Sequence, residues 1–183
     1  MKVIVAITGA SGLIYARQCL EVLASHPAVE RVALILSDHA EDVMRAEGVE
    51  LPVSERIERF DNDDMWASVA SGSARWDAML VVPASMGTVA RVASGISRTL
   101  IERAADVMLK EGLPLIVVPR EVPFNTIHLR NLCELGNAGA TICPAAPSFY
   151  NNPSNIEELC SSVTERIIRL LGLKSNQLPW GNR

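Results

Sequence analysis

The sequence has 183 residues, which suits one domain, and a chain of this size buries about 70% of its unfolded surface on folding. Its 17 Lys and Arg residues against 21 Asp and Glu residues leave a formal net charge of −4, which gives no support to a nucleic-acid-binding surface or an anionic-membrane patch. Hydrophobic residues at 49% and charged residues at 21% exclude a disordered chain, and aromatic residues at 4% argue against a surface for base stacking.

Cysteine spacing and the N-terminal segment indicate a cytoplasmic protein. No two cysteines form a C-x-x-C motif and none has a histidine at metal-ligand spacing, so reduced thiols are expected. The apolar run at residues 3–7 is too short for a signal peptide and ends in the turn-forming residues 8–12. No segment approaches the ~20 apolar residues of a membrane span, so no membrane partner is expected. The cysteines are Cys19, Cys133, Cys143 and Cys160.

Short apolar runs, mostly β-branched, alternate with longer amphipathic segments along the chain. The runs predict buried strands at residues 3–7, 32–36, 78–82, 115–118 and 140–142. The segments between and after them predict helices at residues 13–24, 38–46, 86–92, 99–111, 124–135 and 156–171. This order predicts an α/β fold, a Rossmann-like or flavodoxin-like three-layer sandwich with a parallel sheet.

Two segments stand outside this alternation. Residues 51–75 are polar and irregular, with Asp61, Asp63 and Asp64 close together, and are expected to form an excursion from the sheet. After a single domain at residues 1–172, a C-terminal tail at residues 173–183 is expected either to fray or to dock on a neighbouring subunit through Trp180.

The first candidate site follows the first strand, because ligands of open α/β sheets bind beyond the carboxyl ends of the strands. Gly9 and Gly12 allow a ligand to approach the backbone, and the N-terminus of the next helix attracts phosphate. Ser11 is expected either to cap that helix or to donate its hydroxyl to a ligand. A full G-x-G-x-x-G is absent and the second strand ends in Ser37 before Asp38, so a mononucleotide fits better than NAD. A tight turn without a ligand explains this loop equally well.

Small hydroxyl residues also follow the third predicted strand. Ser85 and Thr88 precede or begin a helix, where they suit phosphate or the polar edge of a ring. Serine and threonine are also ordinary helix caps, so this loop alone indicates no function.

Charged residues share one face of the helix predicted at residues 99–111. Arg103 and Lys110 are seven positions apart, with Asp106 between them. The favoured interpretation from spacing alone is a solvated ladder of Arg103–Asp106 and Asp106–Lys110 pairs, each worth a few tenths of a kcal/mol.

Two proline-rich loops follow the last strands. Pro119 and Pro123 hold Arg120 and Glu121 in a rigid turn, where the pair could bind an anion and move a proton. Further along, Tyr150 belongs to an aromatic pair that either covers the core or lets its hydroxyl bind a phosphate. No Ser-His-Asp or Cys-His spacing is evident.

Taken together, these loops resemble the flavin prenyltransferases, the UbiX-like family historically described as aromatic-acid decarboxylases. The resemblance covers nearly the whole chain and is densest at residues 9–12, 100–111, 119–121 and 147–150. It implies an FMN-binding flavoprotein domain at residues 1–172 that attaches a dimethylallyl group from dimethylallyl phosphate to N5 and C6 of reduced FMN. It also implies a UbiD-type decarboxylase that receives the prenylated FMN, no metal, and a homo-oligomer, expected as a dodecamer with sites shared between subunits.

The resemblance also implies roles for individual residues. FMN would be held by Gly9, Ala10, Ser11, Ser37, Ser85, Met86, Gly87, Thr88 and Arg120. The substrate phosphate would be held by Arg103, Lys110, Arg120, Tyr150 and Arg166. The residues expected to take part in catalysis are Ser11, Glu47, Lys110, Glu121 and Tyr150. Two positions depart from the family pattern, since Gly87 stands where many members carry Lys and Ala84 where Cys is frequent.

Two other functions remain open at this point. One is an FMN-dependent cysteine-type decarboxylase of the same fold, although the Met-Asn-x-x-Met-Trp pattern of that group is absent. The other is a non-catalytic flavin carrier, which would need neither Glu121 nor a second phosphate pocket.

Overall fold

Six parallel strands form one sheet at the centre of the molecule, in a computed structural model that describes residues 1–175. The strands are β1 (Lys2–Ile7), β2 (Arg31–Leu36), β3 (Ile57–Phe60), β4 (Ala78–Ala84), β5 (Leu115–Pro119) and β6 (Thr141–Ile142). Their order across the sheet is β3-β2-β1-β4-β5-β6, with all pairs parallel. This is the Rossmann order rather than the flavodoxin order, and the predicted parallel α/β fold is confirmed.

Helices cover both faces of the sheet. They are α1 (Leu13–Ser25), α2 (Ala40–Glu47), α3 (Met86–Ala93), α4 (Leu100–Lys110), α5 (Thr126–Asn137) and α6 (Ile156–Leu170). Val3, Val5 and Ile7 of β1 enter the apolar cluster under α1 and α6, whereas Ile4 and Ala6 enter the cluster under α3, α4 and α5. This alternation explains why the strand reads as continuously apolar, since both of its faces are buried.

The sheet has one strand that the apolar pattern did not predict. Within the expected excursion at residues 51–75, β3 pairs with β2 at the edge of the sheet, so the prediction is wrong for these four residues. Its middle residues, Glu58 and Arg59, are exposed and form ion pairs with Arg31 and Glu41. An edge strand with charged side chains lacks the apolar run by which the other strands were recognised.

Two further predictions concern membrane-spanning segments and the end of the domain. Within residues 1–175, no helix is long and apolar enough to cross a bilayer. All four cysteines are free thiols. Leu173 is buried against the cluster under α1 and α6, one residue past the boundary expected at residue 172. The rest of the expected tail, with Trp180, lies outside the described residues from residue 176 onward.

Candidate active site

A buried threonine ties together the loops that follow the central strands. Thr8 comes directly after β1 and is fully buried. Its hydroxyl donates to the carbonyl oxygen of Pro83 at 2.8 Å and accepts from the backbone N–H of Ser85 at 2.7 Å. On the other side of β4, the backbone N–H of Arg120 donates to the Ala84 carbonyl oxygen at 3.3 Å. The carboxyl ends of β1, β4 and β5 therefore form one connected edge, as parallel strands allow.

The glycine loop after β1 is shaped by close contacts. A Cβ atom added at Gly9 would lie 2.8 Å from Cβ of His39, so only glycine fits against the start of α2. Gly12 has a φ of 102°, in the left-handed region that favours glycine. The Arg120 side chain closes the loop from the β5 side, because its Nε donates to the Ser11 carbonyl oxygen at 3.1 Å.

The N-terminus of α1 is capped by a carboxylate from another helix. Glu47, the last residue of α2, accepts hydrogen bonds from the backbone N–H groups of Gly12 and Leu13, both at 2.8 Å. Ser11 makes no side-chain cap on this helix. The N–H groups that the sequence suggested for binding phosphate are therefore already paired with a negatively charged group, which also offsets the positive end of the helix dipole.

The loop after β4 uses its hydroxyl groups locally. The Ser85 Oγ accepts from the Thr88 backbone N–H at 3.3 Å and lies 3.0 Å from the Thr88 hydroxyl. Ser85 is therefore the N-cap of α3, the ordinary role that the sequence left open. Thr88 is nearly fully buried, and both side chains nonetheless reach the cavity described below.

An ion pair with a buried carboxylate lies beside these hydroxyls, and the sequence analysis did not predict it. The Glu102 side chain is 1% exposed and pairs with Arg91 of α3. Its Oε2 also accepts from the backbone N–H groups of Arg98, at 2.8 Å, and Thr99, at 3.0 Å. Burial acts to raise the pKa of Glu102, but the hydrogen bonds from Arg91 and the two N–H groups outweigh it and hold the pKa below its usual value. Glu102 is therefore a carboxylate with a fixed orientation.

These groups line a cavity of about 270 Å³ at the carboxyl edge of the sheet. Asp38 and His39 contribute from the β2 side, and Asn62 from the segment after β3. The residues that line it from the central loops are Gly9, Ser37, Ser85, Thr88, Arg91 and Glu102. Hydroxyl groups, a guanidinium and a bare glycine backbone suit a ligand with a phosphate and a polar chain. Four of the residues that the resemblance linked to FMN thus meet in one cavity.

Arg120 and Glu121 diverge instead of forming the pair suggested by their adjacency. Arg120 bonds the Ser11 carbonyl oxygen, whereas Oε1 of Glu121 accepts from the backbone N–H of Val122 at 3.0 Å. Arg120 is therefore directed to the glycine loop, and Glu121 remains half-buried in the loop after β5.

The cations of α4 are bonded away from the cavity. Arg103 donates from Nε to the Ala70 carbonyl oxygen at 3.0 Å and from Nη1 to Asp106 at 2.8 Å. Lys110 pairs with Glu111, not with Asp106 as the spacing suggested. Neither Arg103 nor Lys110 lines the cavity, and Lys110 ends α4 about 15 Å along the helix axis from its first residue.

Tyr150 and Arg166 lie on a third part of the surface. Tyr150 is 67% exposed in the loop after β6, beside Phe149, which is 69% exposed. Arg166 is exposed on α6 and lies near Cys143, the residue after β6. Burial raises the pKa of the Cys143 thiol, and the positive charge of Arg166 opposes that rise. One subunit therefore presents the expected phosphate-binding side chains on separate surfaces.

The Thr8 bridge generates a prediction on stability. We expect Thr8→Val to lower the free energy of unfolding by about 1–3 kcal/mol, because the buried Ser85 N–H loses its acceptor. Thr141→Val, at an exposed site on the edge strand β6, is the matched control and should stay within about 0.5 kcal/mol of the wild type. Urea unfolding at one protein concentration measures both, and equal stabilities of the two variants would contradict the bridging role.

Comparisons with known proteins identify the family to which the chain belongs. The model of a family described as "Flavoprotein" matches residues 1–168. A flavin prenyltransferase UbiX from Methanocaldococcus jannaschii is 42% identical over 99% of both chains. A crystal structure of AnUbiX (PadA1) in complex with FMN and dimethylallyl pyrophosphate is 37% identical over 98% of both chains, with a TM-score of 0.89. A dodecameric FMN-dependent UbiX-like decarboxylase from Escherichia coli O157:H7 is 36% identical over 98% of this chain and 99% of that one, with a TM-score of 0.89. With such identity along nearly its whole length, the chain belongs to the flavoprotein family and, within it, to the UbiX-like flavin prenyltransferases.

Proposed function

We propose that the protein transfers a dimethylallyl group from dimethylallyl phosphate to N5 and C6 of reduced FMN, and that a UbiD-type decarboxylase receives the prenylated FMN. The observation that carries this proposal is the cavity at the carboxyl edge of the sheet, where Gly9, Ser37, Ser85 and Thr88 meet. Its donor set fits FMN, because hydroxyl and guanidinium groups suit the phosphate and ribityl chain. The likeness to the neighbour that holds FMN and dimethylallyl pyrophosphate supports the same pair of ligands here.

The glycine loop and the loop after β4 position the flavin in this scheme. Ala10, Ser11, Met86 and Gly87 complete the cofactor set, and Arg120 holds the glycine loop through the Ser11 carbonyl oxygen. When bound, reduced FMN supplies the electron-rich N5 and C6 atoms that accept the prenyl group. Glu47 acts through the backbone, because its carboxylate fixes the two N–H groups next to Ser11.

The remaining residues stabilise charge that develops as the allylic C–O bond breaks. Lys110, Arg103 and Arg166 hold the leaving phosphate through charge-assisted hydrogen bonds, and the Tyr150 hydroxyl donates one more. Glu121 accepts the proton that leaves the ring system when its unsaturation is restored. Its half-buried position in the loop after β5 is consistent with that role.

The site is completed by neighbouring subunits. Arg103 and Lys110 bond within their own surface, and Tyr150 and Arg166 are exposed on another, so within residues 1–175 of one subunit these groups do not converge. Oligomerisation brings such surfaces together, and the UbiX-like neighbour from Escherichia coli is a dodecamer. We therefore infer a homo-oligomer, a dodecamer by this likeness, in the cytoplasm, where its four free thiols stay reduced.

The proposed reaction predicts a change in the mass of the flavin. Anaerobic incubation with reduced FMN and dimethylallyl phosphate should yield a flavin heavier by one isoprenyl unit, detected by mass spectrometry after release. Dimethylallyl pyrophosphate serves as the second donor, and a reaction without donor is the control. Recovery of unmodified FMN with both donors would contradict the transferase and favour the flavin carrier.

The role of Glu121 predicts a split between binding and turnover. Glu121→Gln should retain FMN affinity within about twofold and lose more than 10²-fold in prenyl transfer, because a carboxamide cannot accept the proton. Glu30→Gln, at the exposed opposite end of β2, is the matched control and should retain full activity. Wild-type turnover in Glu121→Gln would show that Glu121 has no catalytic role and only accepts a hydrogen bond from the Val122 N–H.

The shared site predicts complementation between inactive variants. Glu121→Gln and Arg166→Ala subunits should each be inactive as pure oligomers, because each lacks one part of every site. Co-assembled from a mixture, they should recover part of the activity, since some interfaces join an intact Glu121 to an intact Arg166. A monomer in solution, or mixed oligomers without recovered activity, would contradict sharing.

A further inference from the structure

The N-terminus of α1 is not free to bind the phosphate of a mononucleotide. In Rossmann-like folds the phosphate binds at the N-terminus of the helix after β1. Here the Gly12 and Leu13 N–H groups of α1 both donate to the carboxylate of Glu47. A dianionic phosphate brought to this helix end would meet a negative charge, so the favourable position lies away from α1, in the cavity lined by residues of α3 and α4.

Arg91 is the cationic side chain in that cavity. Among the described residues that line the cavity, it alone carries a permanent positive charge. Its Nη1 lies 3.3 Å from the position that a Cβ atom of Gly87 would occupy. Its Nη2 donates to the Thr88 hydroxyl at 3.2 Å. The guanidinium of Arg91 thus fills the space beside Gly87.

Glu102 fixes the direction of this guanidinium. The carboxylate is nearly fully buried at the start of α4, and backbone N–H groups of Arg98 and Thr99 hold its second oxygen. Arg91 uses one N–H on Glu102 and one on Thr88, out of five, so three N–H groups are left for a ligand. The Arg91 side chain is 46% exposed, on the side that faces the cavity.

We propose that Arg91, oriented by Glu102, binds the phosphate of FMN. This inference rests on the proposed function, and it assigns to the chain a phosphate ligand outside the residues implied by the family resemblance. Glu102 is a positioning residue, since it acts on the ligand only through Arg91.

Comparison of FMN with riboflavin tests this role directly, because the two flavins differ in the phosphate alone. Titration by flavin fluorescence should show that Arg91→Ala weakens FMN about 10- to 100-fold, the range of a charge-assisted hydrogen bond, and leaves riboflavin unchanged. The affinity for FMN should also lose part of its dependence on salt concentration. Arg59→Ala is the matched control, because Arg59 pairs with Glu41 on the exposed edge of the sheet, and it should change neither affinity.

A second variant separates phosphate binding from a damaged fold. Arg91→Ala leaves the buried Glu102 without its partner, whereas Arg91→Ala/Glu102→Gln removes that charge and keeps an acceptor for the N–H groups of α4. The double variant should show the same selective loss of FMN. Equal losses for both flavins, no loss for either, or a weaker affinity for dimethylallyl phosphate alone would overturn the proposal. A wild-type protein that binds neither flavin would instead contradict the proposed function.

Discussion

The site depends on one buried hydroxyl group, that of Thr8. Parallel strands bring their carboxyl ends to one edge but do not by themselves fix the loops that follow. Thr8 donates to the Pro83 carbonyl oxygen near the end of β4 and accepts from the backbone N–H of Ser85 directly after it, so the loops after β1 and β4 are held together. Because the hydroxyl is fully buried, neither partner can replace it with water, and the bonds persist in the folded state. The positions of Gly9 on one side and of the α3 cap on the other follow from it.

Charge then divides this edge into two regions. At the N-terminus of α1, Glu47 neutralises the positive end of the helix and pairs the N–H groups that would otherwise attract an anion. At α3, Arg91 and the hydroxyl of Thr88 present donors to the same cavity. In our proposal, Arg91 therefore binds the phosphate on the α3 side. Two carboxylates set the charge at these helix ends, Glu47 at α1 and Glu102 beside Arg91.

The central strands and most helices could be predicted because burial on both faces imposes a continuous apolar pattern. The edge strand β3 could not, because Glu58 and Arg59 are stabilised by ion pairs with neighbouring elements and not by burial. Residues that line the cavity next to a strand end, such as Ser85, could be predicted because ligands of open α/β sheets bind beyond the carboxyl ends of the strands. Pairs such as Arg91 and Glu102 could not, since they lie on different helices and meet only through packing. For Arg120 and Glu121 the error is the opposite one, because residues adjacent in sequence were expected to act as a pair. Arg120 bonds to Ser11 of the glycine loop, whereas Glu121 accepts from its own neighbour Val122.

The exposed aromatic side chains of the loop after β6 connect subunit assembly with the proposed transfer step. Loss of phosphate from an allylic carbon separates charge, and the fixed dipoles that stabilise it act strongly only where water is excluded. In one subunit the cavity is open, and Tyr150 and Phe149 are both more than two-thirds exposed. An aromatic pair of this kind is costly to leave in water and favourable to bury against another surface. A contact that buries this pair would place Tyr150 against a neighbouring subunit, as the proposed shared site requires. In the proposed function, the transfer step therefore depends on neighbouring subunits, which bring the separate phosphate-binding side chains together.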